Sequence, residues 1–188
     1  MNVCVFASSS NKIDKSYRES AFEMGKLLAV EGFTLVNGAG NLGLMNASLE
    51  GAKSVGGRTL GIIPEMLNNM NLASEYCDEL VVTCDMKDRK EEMRKRSDAF
   101  ITLPGGFGTL EEVLEVITLK QLSYINPAIV FLNKNGYFDN LIAMFETMYQ
   151  EYFANARFKK LYFIADTELD AVEYLKKYDK SDVPSKFD

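Results

Sequence analysis

Gly105, Gly106 and Gly108, followed by Thr109, Glu111 and Glu112, make up the stretch PGGFGTLEE, the part of this chain whose residue types are best suited to chemistry. Glycines lack a Cβ, so such a backbone, with Phe107 among them, can come close to a ligand. The loop follows an apolar run and precedes a helical pattern. Unpaired N–H groups of a first helical turn, aided by the helix dipole, favour an anion such as phosphate. Thr109 is expected to cap that helix and to offer its hydroxyl. The plainer alternative is a tight strand–helix turn, for which one glycine usually suffices. The G-K-[ST] ending of a Walker A loop is missing. Acidic side chains at Glu111 and Glu112 suit a helix N-terminus. A carboxylate one turn from bound phosphate is nevertheless costly unless a cation or a reaction uses it.

A second glycine turn, VNGAGNLGLM, spaces Gly38, Gly40 and Gly43 as G-x-G-x-x-G, with Met45 just inside the helix that follows. The dinucleotide fingerprint also wants an acidic residue at the end of the next strand. That strand ends in GIIP, which disfavours NAD. Two readings stand for this turn, a wall of a mononucleotide site and a structural bend. A third polar segment, Ser8 to Ser10, follows the first apolar run. Arg89 and Lys90 lie in DMKDRKEEMRKRSD, a charge-rich helix that reads as a solvated face with i,i+4 pairs, and spacing alone does not single out Arg89. The chain has no histidine, which removes Ser-His and Cys-His nucleophile pairs and His-ligated zinc. Acid–base work falls to Asp, Glu, Lys, Tyr or water.

The elements that must position these residues follow from periodicity. Apolar runs predict strands near residues 3–7, 33–36, 58–63, 79–83, 99–103, 128–132 and 162–165. Helical patterns alternate with them near residues 16–31, 44–55, 85–96, 109–124, 137–153 and 167–178. Residues 64–77 read as a loop or a short helical turn. Short apolar strands alternating with helices predict an α/β fold, a Rossmann-like, doubly wound parallel sheet of about seven strands in a single domain over residues 1–180, with 181–188 as a fraying tail. Ligands in such sheets bind beyond the carboxyl ends of the strands, where all three polar segments are expected.

The 188 residues suffice for one sizeable core. A net charge of −6 lacks the basic footprint of general nucleic-acid binding, so no nucleic-acid partner is expected. The start MNVCVFASSS has no basic, long-apolar leader, and no apolar run reaches the ~20 residues of a membrane span. Cys4, Cys77 and Cys84 are odd in number and lack metal-ligand spacing, consistent with a reducing, cytoplasmic setting.

Two of these segments together resemble a known family. DRKEEMRKRSDAFITLPGGFGTLEE is similar to the paired signature of the Lonely-guy cytokinin riboside monophosphate phosphoribohydrolases. That signature is an Arg-Lys pair, here Arg89-Lys90, followed about fifteen residues on by P-G-G-x-G-T-x-x-E, here Pro104 through Glu112. The resemblance extends to ITLKQL, FLNKNGYFDNL and FIADT, nearly the whole chain. It implies a homodimer that binds AMP-like nucleotides and releases free base and ribose 5-phosphate, with no metal or other cofactor. Carried over by position, Arg89 and Glu112 are the catalytic pair, and Gly105, Gly106, Gly108 and Thr109 hold the phosphate. Lys90, Phe107, Glu111, Ser8, Gly43 and Met45 complete the expected substrate-binding set. The chain departs from the pattern at Met86-Lys87, where the family often has Met-His. It departs also at Gly38-Ala39-Gly40 in place of three glycines, and at Leu119 in place of a tryptophan. Members have often been labelled lysine decarboxylases, for which this sequence shows no cofactor-lysine context. A non-catalytic nucleotide or molybdenum-cofactor carrier on the same fold is the alternative. Retention of both Arg89 and Glu112 favours the enzyme.

Overall fold

The computed structural model describes residues 1–181, 183, 184 and 186. Among them, seven parallel strands form one sheet in the order β4-β3-β2-β1-β5-β6-β7. They are β1 (Asn2–Phe6), β2 (Thr34–Asn37), β3 (Thr59–Pro64), β4 (Glu79–Thr83), β5 (Ala99–Thr102), β6 (Ala128–Leu132) and β7 (Phe163–Ala165). The helices between them are α1 (Lys15–Val30), α2 (Gly43–Ser54), the short α3 (Glu65–Asn69), α4 (Met86–Lys95), α5 (Phe107–Gln121), α6 (Asp139–Gln150) and α7 (Glu168–Lys177).

Period-2 alternation along buried strands sends neighbouring side chains to opposite faces, and each face needs a helical cover. Val3 and Val5 of β1 join a core with Met24 and Leu28 of α1, Leu44 and Leu49 of α2, and Val172 and Leu175 of α7. Cys4 and Phe6 face the other way, onto Met93 of α4, Val113 and Val116 of α5, and Phe145 of α6. Both layers are therefore fed by the same strands. The chain winds outward from β1 to the edge strand β4, then crosses back through α4 to pair β5 with β1, with Val5 opposite Ile101 and Phe6 opposite Thr102. The winding reverses between β1 and β5, and that point opens a crevice above the strand ends.

The boundaries expected from sequence hold to within a few residues, with two differences. The helix expected over 137–153 is α6 (Asp139–Gln150), preceded by a 3-10 turn, Lys134–Gly136. The helix expected to start at Thr109 starts at Phe107. Four residues of the tail expected to fray, Asp182, Ser185, Phe187 and Asp188, lie outside the described residues. Lys186, which is described, donates its N–H to the Gln121 carbonyl at 2.9 Å. Among the described residues, no helix is long and apolar enough to cross a membrane.

Candidate active site

At the switch point a cleft of about 330 Å³ opens, within the size range of small-molecule sites. Its walls come from Ala7 to Ser10 beyond β1, Met45 of α2, Met86 and Arg89 of α4, and Gly106, Gly108, Thr109, Glu111 and Glu112 at the start of α5.

The two glycine turns have opposite roles. In the first, Gly43 holds φ +62°, and a Cβ there would lie 2.6 Å from the Ser8 carbonyl oxygen. This close approach lets Ser8 O accept from the N–H groups of Leu44 (2.8 Å) and Met45 (3.2 Å), while Asn11 Oδ1 takes the Gly43 N–H at 2.8 Å. The chain itself thus occupies the first N–H groups of α2, while Met45, just inside that helix, lines the cleft. In the second turn Gly106 is the N-cap residue of α5 and no side chain caps the helix. A Cβ at Gly106 or Gly108 would meet nothing within 4 Å, so these glycines clear space above the helix end rather than fit against protein. Thr109 is not the cap, contrary to the sequence-based expectation. It sits inside the first turn, buried against Gly105, where a Cβ would come within 2.1 Å of Thr109 Oγ1. The orphan N–H groups and the positive dipole end of α5 face the cleft, an arrangement suited to an anion.

Arg89 is a side chain that spacing alone does not single out and that only the resemblance places at the site. It shares the buried side of α4 with Met93, one turn on. Its Nε donates to the Ile62 carbonyl of β3 (3.1 Å) and its Nη2 to the Gly38 carbonyl just past β2 (3.2 Å). Gly38 leaves room for it, because a Cβ there would lie 1.5 Å from Nη2. Two strand ends therefore hold the guanidinium while Nη1 stands 3.8 Å from Glu112 Oε1. The side chains are 8% and 12% exposed. Burial pushes the Glu112 carboxyl up to about 7, with Arg89 pulling against that rise and Glu111 adding to it. The thioether sulfurs of Met86 and Met45 flank Arg89 at 3.6 and 4.0 Å. The cleft thus holds a carboxyl pushed up to about 7, a fixed cation and a soft apolar wall beside an uncapped helix N-terminus. That set can stabilise or discharge a cationic centre and shuttle a proton near pH 7.

The remaining expected residues are more dispersed. Ser8, Met45, Gly106, Gly108, Thr109 and Glu111 line the cleft with Arg89 and Glu112. Lys90 lies outside the cleft lining and is held by ion pairs with Glu111 and, at 3.3 Å, Glu115. Phe107 is 94% exposed at the lip, and Gly105 is covered by Thr109. Gly43 borders a neighbouring pocket with Ser10 and Asn11. Sequence reasoning passed over Met86, whose place at i−3 from Arg89 on one helix face was the available signal. It also passed over Tyr137, whose hydroxyl donates to the Gly105 carbonyl at 2.6 Å and whose only sequence signal was its place in FLNKNGYFDNL, a segment that shares the resemblance. Among the described residues no group of three or more His, Cys, Asp or Glu side chains is arranged to hold a metal ion.

Comparison with known proteins follows the same lines. A family model described as possible lysine decarboxylase matches residues 45–175. A cytokinin riboside 5'-monophosphate phosphoribohydrolase of Arabidopsis thaliana is 36% identical over 176 residues, covering 94% of this chain and 82% of that protein. A probable enzyme of the same name from Oryza sativa subsp. japonica is 37% identical over 176 residues, covering 94% and 70%. Among solved structures, the molybdenum cofactor binding protein of Rippkaea orientalis is 26% identical with a TM-score of 0.68, covering 93% of each chain. The molybdenum cofactor carrier protein of Chlamydomonas reinhardtii shares the fold, at 22% identity and a TM-score of 0.71, covering 94% of this chain and 96% of that one.

Proposed function

The chain belongs to the family of cytokinin riboside 5'-monophosphate phosphoribohydrolases, which the possible-lysine-decarboxylase model also describes, and from that membership we propose the reaction it performs. It hydrolyses the N-glycosidic bond of adenine-type nucleoside 5'-monophosphates, cytokinin riboside monophosphates or AMP, to free base and ribose 5-phosphate. The observation that carries this reading is the buried Arg89–Glu112 pair, lining the same cleft as the uncapped N-terminus of α5.

The 5'-phosphate binds the free N–H groups of residues 106–109, and this remote contact positions the ribose. N-glycosidic cleavage develops positive charge on the ribosyl carbon while the base departs. By analogy with glycoside hydrolysis, the Glu112 carboxylate stabilises that cation or activates the attacking water. Arg89, already tied to two backbone carbonyls, orients Glu112 and offsets negative charge developing on base or phosphate. Met45 and Met86 give the base an adaptable apolar wall. The carrier alternative asks nothing of a carboxylate held against a phosphate site, which the proposed reaction uses.

The working form is a homodimer. Its support is an apolar surface on α5 and beyond α6. Val113 belongs to the core, but Leu114 stays exposed beside a groove lined by Ile117, Phe145 and Met148, and Tyr152 and Phe153 project into solvent nearby. With Cys4, Cys77 and Cys84 all free, the compartment we assign is the reducing cytoplasm. Purified protein incubated with AMP and isopentenyl-AMP should release free base from at least one of them. Binding without base release across a panel of nucleotides would favour a carrier instead.

A further inference from the structure

We propose that Tyr137 is a positioning residue for the phosphate-binding backbone: by holding the Gly105 carbonyl, its hydroxyl turns the Gly106 N–H into the cleft. The inference rests on the phosphate site proposed above and adds a residue to it from outside the glycine loop.

Three observations support it. Tyr137 Oη donates to Gly105 O at 2.6 Å, across 32 residues of chain. In a planar trans peptide the C=O and N–H point in opposite directions, so fixing the Gly105 carbonyl toward Tyr137 aims the N–H of the next residue away from it. That next residue is Gly106, which lines the cleft and caps α5 without side-chain help. The preceding carbonyl is held as well, since the Ser8 N–H donates to Pro104 O at 3.3 Å. Two successive carbonyls are thus tied to protein. A loop of glycines has many peptide orientations open to it, and each tie removes some of them.

The strut itself is braced. The Tyr137 ring meets Tyr17 of α1 edge-on at 5.9 Å and Phe138 at 5.0 Å. The turn before it is fixed by Asn133, whose Oδ1 accepts from the Phe138 N–H at 2.7 Å and whose amide donates to Asp139 at 2.7 Å. Asn135 reaches across to Ser16 at 3.0 Å. The hydroxyl is therefore held in place by packing that does not depend on the hydroxyl.

Tyr137→Phe removes only the oxygen. Calorimetry with ribose 5-phosphate, inorganic phosphate and adenosine separates the possibilities. Ribose 5-phosphate and phosphate should bind about five- to tenfold more weakly to Tyr137→Phe, the loss expected of one hydrogen bond, with adenosine unchanged. Tyr137→Leu, which also loses the ring contacts, shows what general damage does: a lower melting temperature and weaker binding of all three ligands. Equal phosphate-ligand affinity in wild type and Tyr137→Phe overturns the positioning role and leaves the phosphate site standing. An equal loss for adenosine in Tyr137→Phe overturns it too, as a purely structural effect. Wild-type protein that binds neither phosphate ligand overturns the site reading and this inference with it.

Discussion

At the scale of a single residue, the proposed chemistry rests on Glu112. Glu112→Gln keeps size and most hydrogen bonding while removing charge. Turnover should fall by at least about a hundredfold, roughly 2.7 kcal/mol of transition-state stabilisation, with nucleotide affinity changed much less. Wild-type-like base release by this variant would refute the role. In the wild type, kcat/KM should decline as pH drops below about 7, where the carboxylate acquires its proton. Stability runs the opposite way. A folded-state value raised from 4.5 to about 7 means the native state holds its proton more tightly than the unfolded chain. The cost of ionising Glu112 in place therefore grows from pH 4.5 upward and is full above 7. Glu112→Gln should be the more stable protein at pH 8, by at most about 3 kcal/mol, with the gap closing toward pH 4.5. Paired denaturant titrations at the two pH values test this. The glycine loop drew attention to Glu111 and Glu112 alike, and the resemblance chose Glu112. Arg89 was legible only through resemblance, because ten residues of α4 are mostly charged and nothing local distinguishes one arginine. What distinguishes it is a pair of carbonyls on β3 and β2, brought near by the sheet.

At the scale of the element, α5 shows what periodicity can and cannot deliver. The apolar positions place the helix correctly. Its start lies two residues early, because glycine and phenylalanine carry no starting signal and Thr109 carries a strong one. That small shift moves Thr109 inside the first turn and leaves the helix end open for a ligand. Farther along the same helix, Lys120 is 1% exposed, donates to Leu161 O at 2.8 Å and lies 4.8 Å from the Tyr178 ring centre. Burial lowers its value from 10.5 to about 8. A base whose folded value is depressed costs stability fully below that value, and the cost fades between about 8 and 10.5. Lys120→Met keeps the apolar stem, removes the buried ammonium and leaves Leu161 O without this donor, a loss of about 1 kcal/mol. The net expectation at pH 7 is a gain of about 1 kcal/mol, seen as a melting temperature roughly 3 °C higher, with the advantage shrinking by pH 9. A lower melting temperature at pH 7 would show that the hydrogen bond and the ring contact outweigh the burial.

For the whole molecule, alternation of strands and helices made the parallel sheet legible, and the strand count with it. Strand order was not, because every buried strand here is a short apolar run that would suit several positions. The order is set by which helices each face can accept, and it decides where the reversal between β1 and β5 falls. Assembly belongs to this scale as well. Light scattering at micromolar concentration should report twice the 21.1 kDa chain mass, and a monomer alone would remove the homodimer. The same winding sets a timetable for synthesis. Every residue lining the cleft lies between Ala7 and Glu112, so all of them have been translated before β6 and β7 exist. Until Ala128–Leu132 arrives to pair with it, β5 is an open edge, and until Tyr137 arrives the glycine loop lacks its strut. On the ribosome the cleft-lining groups are therefore translated before the strand that pairs with β5 and before the tyrosine that holds the glycine loop.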